Sequence, residues 1–136
     1  MNNDQMAKRI RELYESGDME KFAQAQNEMA ADDIVQEGPQ SGERIKGRKN
    51  IAAVNSNYPA STGTTPKMSL RRILKPGEAW IIEGTIDYGD GTPVSYVGVG
   101  EMRDGKVAKM TEYFANPFEA PAWRADFVER MEPAKV

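Results

Sequence analysis

The chain has 136 residues, with 18 Lys and Arg against 21 Asp and Glu, a net charge of −3, and 39% hydrophobic residues. It contains no Cys and no His, which excludes disulfides, thiol nucleophiles, Ser-His pairs and His or Cys zinc sites, and leaves acid–base chemistry to Asp, Glu, Lys or Tyr. Basic and acidic residues are interleaved, against a nucleic-acid partner, and no apolar run approaches the ~20 residues of a membrane span.

The N-terminal MNNDQMAKRIREL is polar and helical in pattern rather than a secretion signal, so a cytoplasmic protein without membrane association is expected, as a single domain over 1–136. Met6, Ile10, Leu13 and Tyr14 form one apolar stripe, which predicts a helix over 4–16. Gly17 can end it and Asp18 can cap a second helix carrying Met19, Phe22, Ala23, Met29 and Ala30. Asp32 and Asp33 read as a helix stop and turn, IVQEG as a short strand, and PQSG as a turn.

GERIKGRKN, residues 42–50, has glycines at the spacing of a phosphate loop. Such a loop needs Lys after its last Gly, then Ser or Thr, and a buried parallel strand before it. Arg48 and Lys49 occupy those positions, so Gly47 is read instead as the opening of a third helix over 48–58 with Ile51, Val54 and Tyr58. PASTGTTP, 59–66, reads as loop.

From Lys67 the period drops to two. Four strand patterns follow, carrying Met68 to Leu74, Trp80 to Tyr88, Pro93 to Arg103 and Lys106 to Phe114, with PGE, GDGT and RDGK between them. Asp104-Gly105 is a hairpin signal, because Gly accepts positive φ. A final helix is predicted from Pro121, with Trp123, Phe127, Val128 and Met131 on it. Helices before a meander imply α+β, and Gly84, Gly98 and Gly100 inside strands fit strong bending. No D-x-D-x-D-G loop is present, so neither a metal site nor a cofactor is expected.

LYESGDMEKF, AADDIVQEGPQSGERIKGR and MRDGKVAKMTEYFANPF together resemble the nuclear transport factor 2-like superfamily, especially its SnoaL-like branch. The resemblance implies a cystatin-like cone: three N-terminal helices packed in a strongly curved antiparallel sheet, a C-terminal helix, and a cavity at the open end. It also implies a small hydrophobic ligand and a homodimer through the outer sheet face. Ketosteroid isomerases of this superfamily place a carboxylate, a Tyr and an Asp at positions that fall on Gly38, near Ile10 and near Val99 here, so all three roles are vacant. The Arg that its epoxide hydrolases set between two Asp is absent from 106–114, and the His of scytalone dehydratase has no counterpart.

The register implied by the resemblance turns Trp80, Ile82, Ile86 and Tyr88 inward, then Val97, Val99 and Glu101, then Ala108, Met110, Glu112 and Phe114, with Gln36 joining them. A slip of one residue would reverse each strand. Glu112, flanked by Met110 and Phe114, is the candidate proton carrier, because apolar burial raises a carboxylate's pKa towards neutrality. Tyr58 and Tyr14 are candidate hydrogen-bond donors. Three functions follow: a cofactor-free isomerase, cyclase or lyase on a small apolar carbonyl compound, a non-catalytic binder, or a dimerisation and protein-association domain.

Overall fold

The computed structural model describes residues 2–132. Helices α1 (Asn3–Glu15) and α2 (Met19–Met29) are followed by β1 (Ala30–Gly38), β2 (Glu43–Lys46), α3 (Arg48–Thr62) and then β3 (Lys67–Leu74), β4 (Ile81–Asp87), β5 (Val94–Arg103) and β6 (Lys106–Ala115). The architecture is α+β, with three N-terminal helices against one curved six-stranded sheet. Among the described residues no helix is long and apolar enough to cross a membrane.

Local chemistry accounts for the helix ends. Asn2 and Gln5 form a reciprocal capping box on α1. The Asp18 carboxylate accepts from the Glu20 and Lys21 amides to start α2. Gly63, at φ 76°, closes α3 by donating its amide to the Pro59 carbonyl. The third helix therefore runs beyond residue 58 and absorbs the first part of the expected loop. Pro59 is tolerated because the turn it joins is the helix's last.

The sheet order is β2-β1-β6-β5-β4-β3. The meander β3 to β6 is antiparallel, as expected, while β1 runs parallel to β6. Asp32 and Asp33 do not break the chain; they lie inside β1, where Arg48 and Arg103 neutralise them. Both carboxylates also remain largely exposed to water, so the strand buries neither charge. β2 is a four-residue edge strand in the stretch read as a turn and approach to helix three.

The core lies between helices and sheet: Ile10, Leu13 and Tyr14 of α1 and Ala25 and Met29 of α2 face Met68, Leu70, Ile82, Ile86 and Val107 of the strands. The β5 register contradicts the expected one. Ile82 pairs with Gly98 and Gly84 with Tyr96, so Val94, Tyr96, Gly98 and Gly100 face inward, and Val97, Val99 and Glu101 face outward. Trp80 precedes β4 with φ 44°, its carbonyl accepting from the Gly100 amide at 3.1 Å. It is buried at 4% exposure.

Bulges at Leu70/Arg72 and Glu101/Met102 add local bend and twist. The α1 side chains Arg11 and Glu15 bond the carbonyl and amide of Leu70 beside the first bulge. The expected C-terminal α-helix is a 3-10 segment, Ala122–Phe127, with no buried residue. Isolated from packing, its apolar side chains give a helix nothing to form against.

Gly84 marks a close approach between strand backbones, since a Cβ there would stand 2.6 Å from the Ser69 carbonyl oxygen. Gly84→Ala is expected to lower stability by about 1–3 kcal/mol, read from urea unfolding. An unchanged midpoint would show that β3 and β4 are not held this closely.

Candidate functional site

A cavity of about 420 Å³ opens between α1, α2, α3 and the inner face of the sheet. Its walls are largely apolar and aromatic. Tyr14 packs on Phe22 with ring centroids 4.8 Å apart, Tyr58 on Tyr88 at 6.2 Å, and Tyr96 on Phe114 at 5.3 Å. The first pair ties α1 to α2, the second ties α3 to the end of β4, and the third ties β5 to β6.

Glu112 projects into this cavity from β6. The Tyr96 hydroxyl donates to its Oε2 at 2.5 Å. The two residues stand on neighbouring strands, with Gly98 directly opposite Glu112 and Tyr96 opposite Phe114. The Tyr96 ring reaches along its own strand over Gly98, where a Cβ would meet the hydroxyl oxygen at 2.6 Å. The missing side chain of Gly98 therefore makes room for the bond.

Electrostatics single Glu112 out. Glu28 pairs with Arg9, Glu37 with Arg44 and Lys109, and Glu83 with Arg71 and Arg72. Each of these three acids is held below the ordinary carboxylate range, first by the side-chain bond to its basic partner. Glu112 has no basic partner among the described residues, and none of the cavity's lining residues is Lys or Arg. Some solvent reaches Glu112 through the cavity, but protein surrounds most of its carboxyl group. Burial pushes its pKa up, and the Tyr96 hydrogen bond only partly opposes this. Burial likewise raises Tyr96 and Tyr14, with Glu112 adding to both. Tyr88 is pushed up to about 12 by burial, then by Tyr58 and Glu112. These three phenols stay protonated at neutral pH and can donate hydrogen bonds.

The structure gathers Glu112, Tyr14, Tyr58, Gln36, Ile86, Tyr88 and Phe114 around the cavity. Met110 lines a smaller hollow of about 30 Å³ beside it, which shares Glu112, Tyr96, Tyr14 and Gln36. Trp80 and Ile82 are core residues away from its walls. Val97, Val99 and Glu101 are removed from the site altogether by the β5 register. Sequence reasoning missed Tyr96, Phe22, Met68 and Asn55 on the walls. The alternation Val94, Tyr96, Gly98, Gly100, Met102 was the available signal for Tyr96, hidden because Val97 and Val99 make the other face equally apolar.

Gln40 has a further structural role here. Beyond Gly38, β1 no longer accompanies β6. The Gln40 side chain takes its place, accepting from the Phe114 amide at 2.6 Å and donating to the Phe114 carbonyl. The end of β6 is thereby held in line at the cavity mouth.

Helices leading into a curved sheet, with an apolar cavity between them, define the nuclear transport factor 2-like class. The chain belongs to the SnoaL-like domain family, whose model matches residues 7–110. It is similar to a nuclear transport factor 2-like protein of unknown function from Burkholderia xenovorans, with 35% identity over 96% of this chain and 95% of that one and a TM-score of 0.77. A candidate ketosteroid isomerase from Kribbella flavida shares 26% identity over 96% of this chain and 90% of that one, with a TM-score of 0.75. A candidate SnoaL-like polyketide cyclase from Mesorhizobium loti has the same fold at 20% identity, covering 83% of this chain and 99% of that one, with a TM-score of 0.62. No curated protein matches the chain.

Two outcomes test this description. The Tyr96 bond favours the charged form of Glu112, so Tyr96→Phe is expected to raise the Glu112 pKa further, read by carboxyl NMR titration; a lowered value would contradict the geometry. The raised folded-state pKa also means that the folded chain binds this proton more tightly than the unfolded chain. Stability from this group is full below the ordinary value of 4.5 and lost as pH rises through the folded value. Glu112→Gln, which cannot ionise, is therefore expected to gain stability relative to the parent between pH 4.5 and neutrality, measured by urea unfolding across that range. A difference independent of pH would refute it.

Proposed function

We propose that the chain binds a small apolar molecule bearing a carbonyl group and acts on it as a cofactor-free isomerase, cyclase or lyase, with Glu112 as the proton carrier. The observation that carries this reading is a carboxylate enclosed in an apolar cavity, without a cation, bonded to one tyrosine. A carboxylate with a raised pKa is a stronger base than an ordinary one and is better suited to taking and returning a proton.

The step needs no redox partner. A Glu112 oxygen takes the proton from the carbon beside the carbonyl. The C–H electron pair moves into the new carbon–carbon double bond, and the carbonyl oxygen gains negative charge. Tyr14 and Tyr58 both line the cavity, and their hydroxyls supply hydrogen bonds to that oxygen. Returning the proton to another carbon isomerises the molecule, attack of the enolate carbon on a second carbonyl cyclises it, and loss of a leaving group completes a lyase reaction.

The likeness to a candidate ketosteroid isomerase supports the reaction class. It does not carry that protein's residues over. Gly38 lines the cavity without a side chain, Ile10 is fully buried in the core and Val99 lies on the outer face. Any chemistry here must start from a different acid.

The test requires no knowledge of the natural substrate. Cyclic ketones of increasing size are incubated in D₂O, and deuterium uptake beside the carbonyl is followed by NMR alongside binding. Uptake by the parent chain is expected to fall at least about 100-fold in Glu112→Gln while ketone affinity is retained. Uptake indifferent to the substitution would remove Glu112 from the chemistry. Binding with no uptake at any size would leave a non-catalytic ligand-binding protein.

A further inference from the structure

Two amide side chains interrupt the apolar faces that α2 and α3 turn inward. On α2, Gln26 falls between Phe22 and Met29; on α3, Asn55 falls between Ile51 and Tyr58. In both helices the spacing is four residues, then three, which puts each set on one face. Met29 and Ile51 belong to the core and Phe22 packs against it, so the pattern calls for apolar residues at 26 and 55. Both positions carry amides instead, both are half-buried, and both line the cavity.

The two amides meet across the helices, Asn55 Nδ2 donating to Gln26 Oε1 at 2.7 Å. That bond uses only part of what the pair offers. Asn55 keeps its carbonyl oxygen as an acceptor, and Gln26 keeps its amide nitrogen as a donor. Among the described residues neither atom bonds another protein group, and neither is closed off from open space. The helical wall of the cavity therefore presents a donor and an acceptor side by side, facing the sheet wall that carries Glu112.

The charge lining the cavity has one sign. Glu112 stands within it and the exposed Asp18 and Glu43 at its edge, with no Lys or Arg. A carboxylate or phosphate on a ligand would meet only like charge. An ammonium group would pair with Glu112 and make it a weaker base. Of the neutral groups, a carbonyl can only accept and would leave Asn55 Oδ1 unused. A hydroxyl does both: it accepts from Gln26 Nε2 and donates to Asn55 Oδ1.

We infer that Gln26 and Asn55 form a second polar subsite, which holds a hydroxyl group of an uncharged ligand. Resting on the reading proposed above, the subsite narrows the ligand to a hydroxy ketone, with its carbonyl at Glu112 and its hydroxyl on the helices. A ligand held at one polar point can pivot in an apolar cavity. A second point selects which carbon beside the carbonyl faces Glu112.

The test uses mono-, bi- and tricyclic ketones, each in three forms: unsubstituted, with a hydroxyl at each ring position, and with a carboxylate in place of that hydroxyl. Binding to the parent chain, Gln26→Leu and Asn55→Leu is measured by calorimetry. Leu is the kind of residue each helix face calls for, so both variants are expected to fold, with circular dichroism as the check; either one alone carries the test. At least one hydroxy ketone is expected to bind the parent about 10-fold tighter than its unsubstituted form. That ratio is expected to fall to near one in either variant, and every carboxylate is expected to bind more weakly than the unsubstituted ketone. A pair that only ties the helices together would change stability and leave the ratio as it was, which overturns the proposal. So does a hydroxyl that helps at no position, or a carboxylate bound as tightly as the hydroxyl. Deuterium exchange that depends on Glu112 without any hydroxyl preference would remove the subsite and leave the proton chemistry standing. Hydroxyl preference without exchange would keep the subsite in a protein that binds and does not catalyse.

Discussion

The hydrogen bond from Tyr96 to Glu112 is the constraint around which the site is arranged. A carboxylate taken into an apolar cavity must find donors or lose its charge. A basic partner would have stabilised the charge and made the group a weak base. A tyrosine instead satisfies one oxygen and leaves the acid available. The bond depends on Gly98, since a methyl group at that position would collide with the hydroxyl oxygen. A glycine that looks like a weakness in a strand thus sets the geometry of its neighbours.

The absence of a cation is local rather than compositional. The chain has 18 Lys and Arg, and those near acids are spent elsewhere. Arg48 and Arg103 pair with Asp32 and Asp33 on the exposed side of β1. Lys109 and Arg44 share Glu37 across three strands. These pairs sit on exposed or half-exposed surfaces, where each adds little stability. Their placement nevertheless shows a division of the sheet: charge is matched on the outside and left unmatched within.

Much of the fold was legible because periodicity reports burial. The two N-terminal helices, the Asp18 cap and the Asp104-Gly105 hairpin follow from local chemistry that no distant contact contradicts. Glu112 was also legible, as an acid alternating with Met110 and Phe114. The β5 face was not. Both faces of that strand carry apolar side chains, and the inner one is diluted by glycines whose purpose appears only when Tyr96 and Trp80 are seen against them. The β1 strand was shortened in the reading because two acids look like a stop until Arg48 and Arg103, distant in sequence, are brought beside them. The parallel pairing of β1 with β6 is likewise a product of chain topology, with no local signal at all.

The two faces of the sheet place different demands on the same strands. The inner face must be short of side chains, at Gly84, Gly98 and Gly100, so that the sheet bends and Tyr96 can lie flat along it. A sheet bent this way closes one end of the core with Trp80 and leaves the other end open. Keeping that mouth in shape falls to Gln40, whose amide completes the ladder for Phe114 where β1 runs out. On the outer face the neighbours of these glycines in β5, Val97 and Val99, are branched and apolar. The strand therefore carries its glycines on the concave side, where the cavity is built, and bulkier apolar side chains at Val97 and Val99 on the convex side.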